Sequence, residues 1–260
     1  FFTWLFEMED EIHQICPIVW WHVWDNRPTP KFNYPMYEAT DLINCHSHLT
    51  YEMCMEDFSN KTHFVPHALP PGMFFKLPDD QIAIYREQIL GTAKKDWFIG
   101  FWINRNAKRK RPNDVLWAWQ LFLNDLHEKH GHKNALLIMH TDPKDMEGPD
   151  LFETATMLGV QDNVFYSTDR LEFEKINVLH NISDFCITLS HAEGFGLGTL
   201  EAMQTGTPII ATKTGGLTRQ VVDHRDGSEN GIALPVEMKV MVGSQGVPFI
   251  YDDYTSAETA

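Results

Sequence analysis

Short apolar runs alternate with longer amphipathic stretches through the second half of the chain. The runs at 97–103, 135–140, 164–167, 185–189 and 208–212 have the length and apolar character of buried strands. The stretches between them repeat their apolar positions at helical spacing. Strands that alternate with helices of this length predict an α/β fold with a doubly wound parallel sheet. The predicted helices are 112–129, 150–158, 171–181, 199–205 and 217–222.

The first 78 residues carry a looser version of the same pattern. Three apolar runs predict further strands, at 17–24, 41–45 and 62–66. The proline-rich stretch 67–78 has no regular periodicity and is the best candidate for an interdomain linker. We therefore predict a partial N-terminal domain with its linker over 1–78, and a second domain over 79–260.

Composition and charge narrow the classes of function. A net charge of −15 argues against binding of nucleic acid or an anionic membrane through the whole surface. The four cysteines show no Cys-x-x-Cys pair, and we expect free thiols of a reducing compartment. The longest apolar run, 15–24, is too short to span a bilayer, and no signal peptide precedes it. These features predict a cytoplasmic protein without a transmembrane segment.

Two segments with unusual chemistry follow predicted strands, and ligands of open parallel sheets bind at such strand ends. The first, which we call the basic turn, spans 104–111 and has five basic residues between Arg105 and Arg111. The second, the glutamate loop, spans 193–201 and reads Glu-Gly-Phe-Gly-Leu-Gly-Thr-Leu-Glu before a predicted helix. The first amides of a helix have no internal partners and attract anions. The pattern predicts a site for a phosphorylated ligand that carries hydroxyl groups.

Each feature also has an ordinary explanation. A glutamate in a first helical turn, as Glu201 is predicted to be, often only complements the helix dipole. An isolated basic run is often a solvated patch or a nucleic-acid contact. The combination at one sheet edge favours a phosphate site, because the guanidinium of Arg105 and the ammonium of Lys110 would both reach one anionic group.

The second half of the chain resembles a known family at this point. Glu193 and Glu201, with Ala-Met directly after the second glutamate, then Gly206-x-Pro and Gly215-Gly, are similar to the pattern of retaining GT-B glycosyltransferases of the glycogen-synthase and mannosyltransferase type. Arg105 and Lys110 match the paired basic residues of that family. The resemblance covers 97–223 well and 17–66 more loosely. It implies a GT-B fold: two Rossmann-like domains, of which the N-terminal one is incomplete here.

The resemblance also implies a reaction and its residues. A sugar would be transferred from a nucleotide-diphosphate sugar, of UDP or GDP type, to an acceptor with retention of configuration. Glu193 would bind donor-sugar hydroxyls, and Arg105 and Lys110 would neutralise the leaving diphosphate. Neither a cofactor nor a metal is implied, and the chain contains no Asp-x-Asp motif. The donor-binding residues would be Gly194, Phe195, Gly196, Leu197, Gly198 and Glu201, with Glu201 accepting from the ribose hydroxyls.

The N-terminal part supplies a further candidate and several departures from the family pattern. The strand 17–24 is similar to the family strand that ends in a histidine facing the donor sugar, which makes His22 a catalytic candidate. A core histidine between tryptophans explains His22 equally well. Gly198 stands where the family usually has proline, and Arg219 occupies a position that is often acidic. His67 and Ala68 replace the usual Asn-Gly before the linker.

Other interpretations stay open. The chain opens at Phe1 and lacks the family's first N-terminal strands and closing helix, so we expect a fragment. A donor-binding fragment or partner subunit without full activity, a sugar-nucleotide epimerase and a phosphorylase of the same architecture are alternatives. His46 and His48 also form a His-x-His pair, as in metal-dependent hydrolases, but no further ligands are visible. A glycan, a lipid and a protein are all open as the acceptor.

Overall fold

A six-stranded parallel sheet organises the region that follows the proline-rich segment. The computed structural model describes residues 3–260. The strands of this sheet are β4 Phe98–Ile103, β5 Ala135–His140, β6 Val164–Ser167, β7 Phe185–Thr188, β8 Ile209–Thr212 and β9 Gly231–Leu234. Their order across the sheet is β6-β5-β4-β7-β8-β9, because the chain runs outward from β4 to β6 and then returns to place β7 beside β4. The switch point of the doubly wound sheet therefore lies between β4 and β7.

Helices cover both faces of this sheet, which explains why its strands read as continuous apolar runs. Alternate residues of β4 face opposite ways: Trp102 packs with Leu116 and Leu137 in one core, and Phe101 packs with Ile182 and Ala202 in the other. The helices of this region are α5 Asp79–Leu90, α6 Pro112–His130, α7 Leu151–Met157, α8 Phe173–Ile182, α9 Leu197–Thr205 and α10 Thr218–Val221.

The N-terminal part forms a separate three-stranded parallel sheet in the order β1-β2-β3. Tyr37, Ile43 and Phe58 are the centre of its core. The elements are α1 Thr3–Glu7, α2 Glu9–His13, β1 Val19–His22, α3 Tyr34–Glu38, β2 Leu42–Cys45, α4 His48–Phe58 and β3 Thr62–Phe64.

The predicted linker contains neither helix nor strand, but its second half is fixed to the larger sheet region. Two asparagines of α8 bind its backbone: the amide of Phe75 donates to Asn177 Oδ1 at 3.0 Å, and the amide of Leu77 donates to Asn181 Oδ1 at 2.8 Å. Asn181 Nδ2 also donates to the carbonyl of Phe75 at 2.9 Å. These hydrogen bonds give the segment a defined path between the two sheets.

The predicted strands and helices from 97 to 222 are confirmed, with shifts of a few residues at their ends. The strand predicted over 17–24 is shorter, Val19–His22, and α9 begins at Leu197 rather than Thr199. The C-terminal segment was not predicted to be regular, yet β10 Met238–Val242 and β11 Ile250–Tyr254 pair as an antiparallel hairpin. Backbone pairing defines β11, whose polar sequence carries no strand periodicity. Helix α5 was not predicted either, since its apolar face is narrow.

Arg111 connects the basic turn to this C-terminal hairpin. Its Nη1 donates to the carbonyl of Thr255 at 2.7 Å, and its Nε donates to Asp114 at 3.0 Å. The guanidinium also lies 4.1 Å from the ring centroid of Tyr254. The residue is 3% exposed and adopts a left-handed backbone conformation with φ 52° before α6. This member of the basic run is therefore structural.

We predict that Arg111→Lys lowers the free energy of unfolding by about 2 kcal/mol, because an ammonium cannot make the forked contacts or stack on Tyr254. Urea denaturation monitored by circular dichroism measures the change. Lys108→Arg is the matched control, since Lys108 is the exposed neighbour in the same turn. Equal stability of Arg111→Lys and the control would contradict a structural role for the guanidinium.

Candidate active site

The basic turn and the glutamate loop lie side by side at the sheet's switch point. The basic turn follows β4, the glutamate loop follows β7, and these two strands pair directly through Gly100 with Phe185 and Phe101 with Cys186. The juxtaposition predicted from the sequence is therefore present. A small cavity of about 50 Å³ opens between the segments, and Asn104, Glu193 and residues 196–199 are part of its lining.

Glycine is required in the glutamate loop because other chain segments pack against its backbone. A Cβ on Gly194 would lie 2.3 Å from Val23 Cγ2, in the segment after β1. Gly196 has φ 92° and precedes the first residue of α9. On the other side, a Cβ on Gly215 would lie 2.1 Å from the carbonyl oxygen of Glu193. The loop is thus clamped between the N-terminal part and the Gly215-Gly216 turn.

Lys110 and Glu193 form an ion pair at the centre of the site. Lys110 Nζ contacts Glu193 Oε2, and the two side chains are 8% and 15% exposed. Burial lowers the pKa of Lys110, an effect that the Glu193 carboxylate opposes. Ser190 Oγ adds a hydrogen bond of 3.4 Å to the same carboxylate oxygen. Two residues predicted to bind one ligand are therefore in direct contact with each other.

Arg105 does not share this position. Its guanidinium donates to Asp145 at 2.7 Å and lies 3.0 Å from Glu147, and the side chain is 59% exposed. Arg109 is the arginine beside the glutamate loop instead, with Nη1 3.3 Å from the carbonyl of Ala192. Residues 108–110 form a single 3₁₀ turn, and the direction of each side chain from that turn cannot be deduced from the spacing of basic residues.

Asp25 is a candidate site residue that the sequence did not suggest. It follows β1 and brings a carboxylate from the N-terminal part to within 3.9 Å of Arg109 Nη1. Burial raises the pKa of Asp25, Arg109 lowers it, and the nearby Glu193 raises it again. Its position just after the predicted strand 17–24 was the one available signal. The candidate predicted from the sequence was instead His22, which lies inside that predicted strand.

Glu201 lies in the second turn of α9 and not in the first, as predicted, because the helix begins at Leu197; its side chain is turned toward the protein interior. His180 Nε2 is 3.2 Å from Glu201 Oε2, and His180 itself is fully buried. The other ring nitrogen of His180 lies 3.3 Å from Cys186 Sγ. The Glu201 side chain retains 14% exposure. A buried histidine thus fixes the carboxylate, and nothing in the sequence pattern identified His180.

His22 is a core residue in this structure. It is 1% exposed, its Nε2 is 2.8 Å from the hydroxyl of Tyr37, and its ring lies 4.3 Å from that of Trp20. Of the two interpretations of His22, the arrangement matches the core histidine and not a side chain that faces a sugar. Its placement follows from the short β1, whose last residue points into the three-stranded sheet's core.

An aromatic cluster connects the N-terminal part to the glutamate loop. Trp21 packs on His46 and His67, with ring centroids 4.5 and 5.1 Å apart, and His67 packs edge-on against Phe195 at 5.1 Å. His46 Nδ1 and His67 Nε2 are 2.5 Å apart. The predicted donor-binding residue Phe195 therefore faces the N-terminal part across the cleft.

Comparison with known proteins identifies the family. A sequence model of the glycosyl transferases group 1 family matches residues 86–240, which contain the basic turn and the glutamate loop. The chain belongs to this family. The match covers more than half of the chain and includes the whole switch-point site.

Curated proteins similar to this chain include a glycosyltransferase and a synthase. It is 30% identical over 167 residues to a D-inositol 3-phosphate glycosyltransferase of Segniliparus rotundus, covering 64% of this chain and 35% of the relative. It is 26% identical over 220 residues to the N-acetyl-alpha-D-glucosaminyl L-malate synthase of Bacillus anthracis, covering 83% of this chain and 52% of the relative. The chain thus spans about a third to a half of these relatives.

Solved structures confirm the fold. Anabaena HepE in complex with UDP aligns with a TM-score of 0.67 at 19% identity, covering 86% of this chain and 60% of that one. Sucrose-phosphate synthase from Thermosynechococcus elongatus aligns with a TM-score of 0.66 at 19% identity, covering 90% and 59%. At this identity the likeness establishes the GT-B fold alone.

The His-x-His interpretation does not fit the observed side chains. His46 pairs with His67, while His48 is 3.1 Å from Glu52 on α4. Among residues 3–260, no group of three or more histidine, cysteine or acidic side chains is placed to hold a metal ion. Metal independence itself stays a prediction. No helix in the same range combines the length and apolarity needed to cross a membrane, and the cytoplasmic location also stays a prediction.

The buried His22 predicts a specific loss of stability in acid. Burial first, and then His46, lower its pKa from 6.5 to about 3. The unfolded chain therefore binds a proton that the folded chain does not, and the free energy of unfolding falls as the pH decreases from about 6.5 toward 3. The double variant His22→Phe/Tyr37→Phe replaces both hydrogen-bond partners. Between pH 7 and pH 4 its free energy of unfolding should fall by roughly 2–3 kcal/mol less than that of the wild-type protein.

Urea denaturation at several pH values measures that decrease. His130→Phe is the control, because it removes an imidazole from the exposed end of α6. An unchanged pH dependence in the double variant would show that His22 takes up a proton as readily in the folded as in the unfolded protein. That outcome would reopen a polar, cleft-facing role for His22.

Proposed function

We propose that this chain carries the donor site of a retaining, metal-independent hexosyltransferase that uses a nucleotide-diphosphate sugar. The observation that carries the proposal is the Lys110–Glu193 pair at the switch point, beside the N-terminus of α9. A buried ammonium and helix amides suit a diphosphate, and a carboxylate suits sugar hydroxyls. Family membership adds sugar transfer as the reaction.

Donor binding would redistribute the contacts of the ion pair. The diphosphate would accept hydrogen bonds from Lys110 and from the first amides of α9, which frees Glu193 to accept hydroxyl groups of the sugar. Arg109 already lies at this edge and would add a second cation. Arg105 takes part in this proposal only if its guanidinium leaves Asp145 and Glu147. As the bond between sugar and diphosphate breaks, these cations would stabilise the charge on the leaving group.

The nucleotide and the acceptor are proposed from the relatives. HepE binds UDP in its solved complex, which favours a uridine nucleotide as the first to test. The names of the two curated relatives specify inositol 3-phosphate and L-malate, one a phosphate ester and the other a dicarboxylate. We therefore propose a small anionic acceptor. Glu201, fixed by His180, would bind the ribose of the donor.

Calorimetry with UDP, GDP and their hexose conjugates tests the donor site. We expect one nucleotide to bind in the presence of EDTA, and Lys110→Met to weaken it at least tenfold, because a desolvated charge-assisted contact to phosphate is lost. Lys108→Met removes a charge from the exposed side of the same turn and serves as control. Absence of binding by any nucleotide would refute the proposal, and loss of binding in EDTA would refute metal independence.

Product analysis distinguishes the remaining alternatives. Transfer to an acceptor with the anomeric configuration kept supports the proposed reaction. Epimerised nucleotide sugar, or sugar phosphate formed from inorganic phosphate, would identify an epimerase or a phosphorylase. Nucleotide binding without any of these products would identify a donor-binding fragment.

We predict that His180 acts as a positioning residue for Glu201. Wild-type protein should bind UDP five- to tenfold more tightly than 2′-deoxy-UDP, since the ribose hydroxyls donate to a carboxylate held in one orientation. His180→Phe should remove most of this discrimination, and His180→Gln, which retains an N–H donor, should restore part of it. Equal losses for both nucleotides in His180→Phe would indicate a purely structural role. Glu201→Ala, which removes the acceptor, provides the reference for complete loss of discrimination.

A further inference from the structure

A second pocket, lined by basic side chains, lies beside the glutamate loop. Its volume is about 370 Å³, which is within the range of small-molecule sites. It lies between the start of α4, which follows β2, and the segment after β8, so both walls come from the carboxyl ends of parallel strands. None of its lining residues belongs to the small cavity at Glu193. The charged and titratable lining residues are Arg27, His48, Glu52, Lys213, Arg219 and His224.

The charge of this pocket is opposite to that of the chain. Arg27, Lys213 and Arg219 are permanent cations, while Glu52 is the one carboxylate in the lining. Glu52 is already engaged, with Arg27 at 3.2 Å and with His48 at 3.1 Å. In the range 3–260, neither Lys213 nor Arg219 has a carboxylate within 4 Å, so both ammonium and guanidinium are available to a ligand. Arg219 also replaces the acidic residue expected from the family resemblance.

His48 reports the positive potential of the pocket. Burial lowers its pKa, the charge of Arg219 lowers it further, and Glu52 opposes both effects. Since histidine pKa values respond to nearby charges, the cation of Arg219 acts on the pocket interior and not only on solvent. An anion in the pocket would be stabilised by the same field.

A single backbone turn separates the pocket from the proposed donor site. Gly215 and Gly216 line it on one side and contact the glutamate loop on the other, where the amide of Gly216 donates to the carbonyl of Glu193 at 2.8 Å. A small molecule with its charged group in the pocket would therefore lie on the other side of this turn from Glu193, close to the proposed donor site. This proximity is what an acceptor of the same reaction requires.

We propose that this pocket holds the anionic group of the acceptor, a phosphate or a carboxylate, with Arg219 and Lys213 as its specificity-determining residues. The proposal rests on the proposed function, because it assigns the acceptor side of that same reaction. Arg219 would fork onto two oxygens of the anion, and Lys213 would add a point charge.

Calorimetry with inositol monophosphate on protein saturated with UDP tests the assignment. We expect binding that is at least tenfold tighter than that of unphosphorylated inositol. Lys213→Met/Arg219→Met should reduce the affinity for the monophosphate to that for inositol, with UDP affinity unchanged. Lys129→Met/Lys175→Met, on exposed faces of α6 and α8, removes the same charge elsewhere and should leave both affinities as in wild type.

The outcomes separate this inference from the proposed function. Equal affinities for inositol and its monophosphate, or equal monophosphate affinities in wild-type protein and the pocket variant, would overturn the pocket assignment while UDP binding stands. Displacement of the monophosphate by UDP would place the anion in the donor site and overturn it as well. Failure of UDP to bind would count against the proposed function alone, since the monophosphate titration is repeated without nucleotide. Sedimentation with phosphatidylinositol vesicles, lost in the pocket variant, would show that the pocket binds the phosphate of a lipid headgroup.

Discussion

The buried ion pair between Lys110 and Glu193 is the interaction on which the site depends. Each charge is expensive to bury alone, and the pair is tolerated because the two groups satisfy each other and Ser190 adds a further hydrogen bond. The contact exists only because β4 and β7, which are far apart in sequence, are neighbours at the switch point. The topology of the sheet thus brings a cation and a carboxylate to one point, where a ligand with both phosphate and hydroxyl groups can separate them.

The two glutamates of the loop are held in different ways. Glu193 pairs with the ammonium of Lys110, which can bind a phosphate instead. Glu201 is hydrogen-bonded to the fully buried His180. A ligand can therefore release the first carboxylate, while the second keeps its orientation throughout. A preorganised hydrogen-bond acceptor loses little entropy on binding, so it suits a part of the ligand that does not react.

The sequence was informative where one local pattern determines the structure. Strands covered on both faces are apolar throughout, and the spacing of Glu193 and Glu201 across glycines predicts a loop and a helix start. Contacts between segments that are distant in sequence could not be predicted from such a pattern. Arg109 rather than Arg105 lies beside the loop, because Arg105 pairs with the distant residues Asp145 and Glu147. Asp25, His180 and strand β11 required knowledge of which segments pack together.

The Gly215-Gly216 turn separates two pockets, and this shared wall couples them. A Cβ on Gly216 would lie 2.5 Å from the Cα of Phe195, and the turn's backbone hydrogen-bonds to Glu193, so neither side of the wall can move alone. A ligand that contacts the glutamate loop therefore also affects the Gly215-Gly216 turn. Arg219 follows this turn, in α10. Close glycine packing thus makes one turn part of both the proposed donor site and the proposed anion pocket, and binding at one is expected to influence binding at the other through that turn.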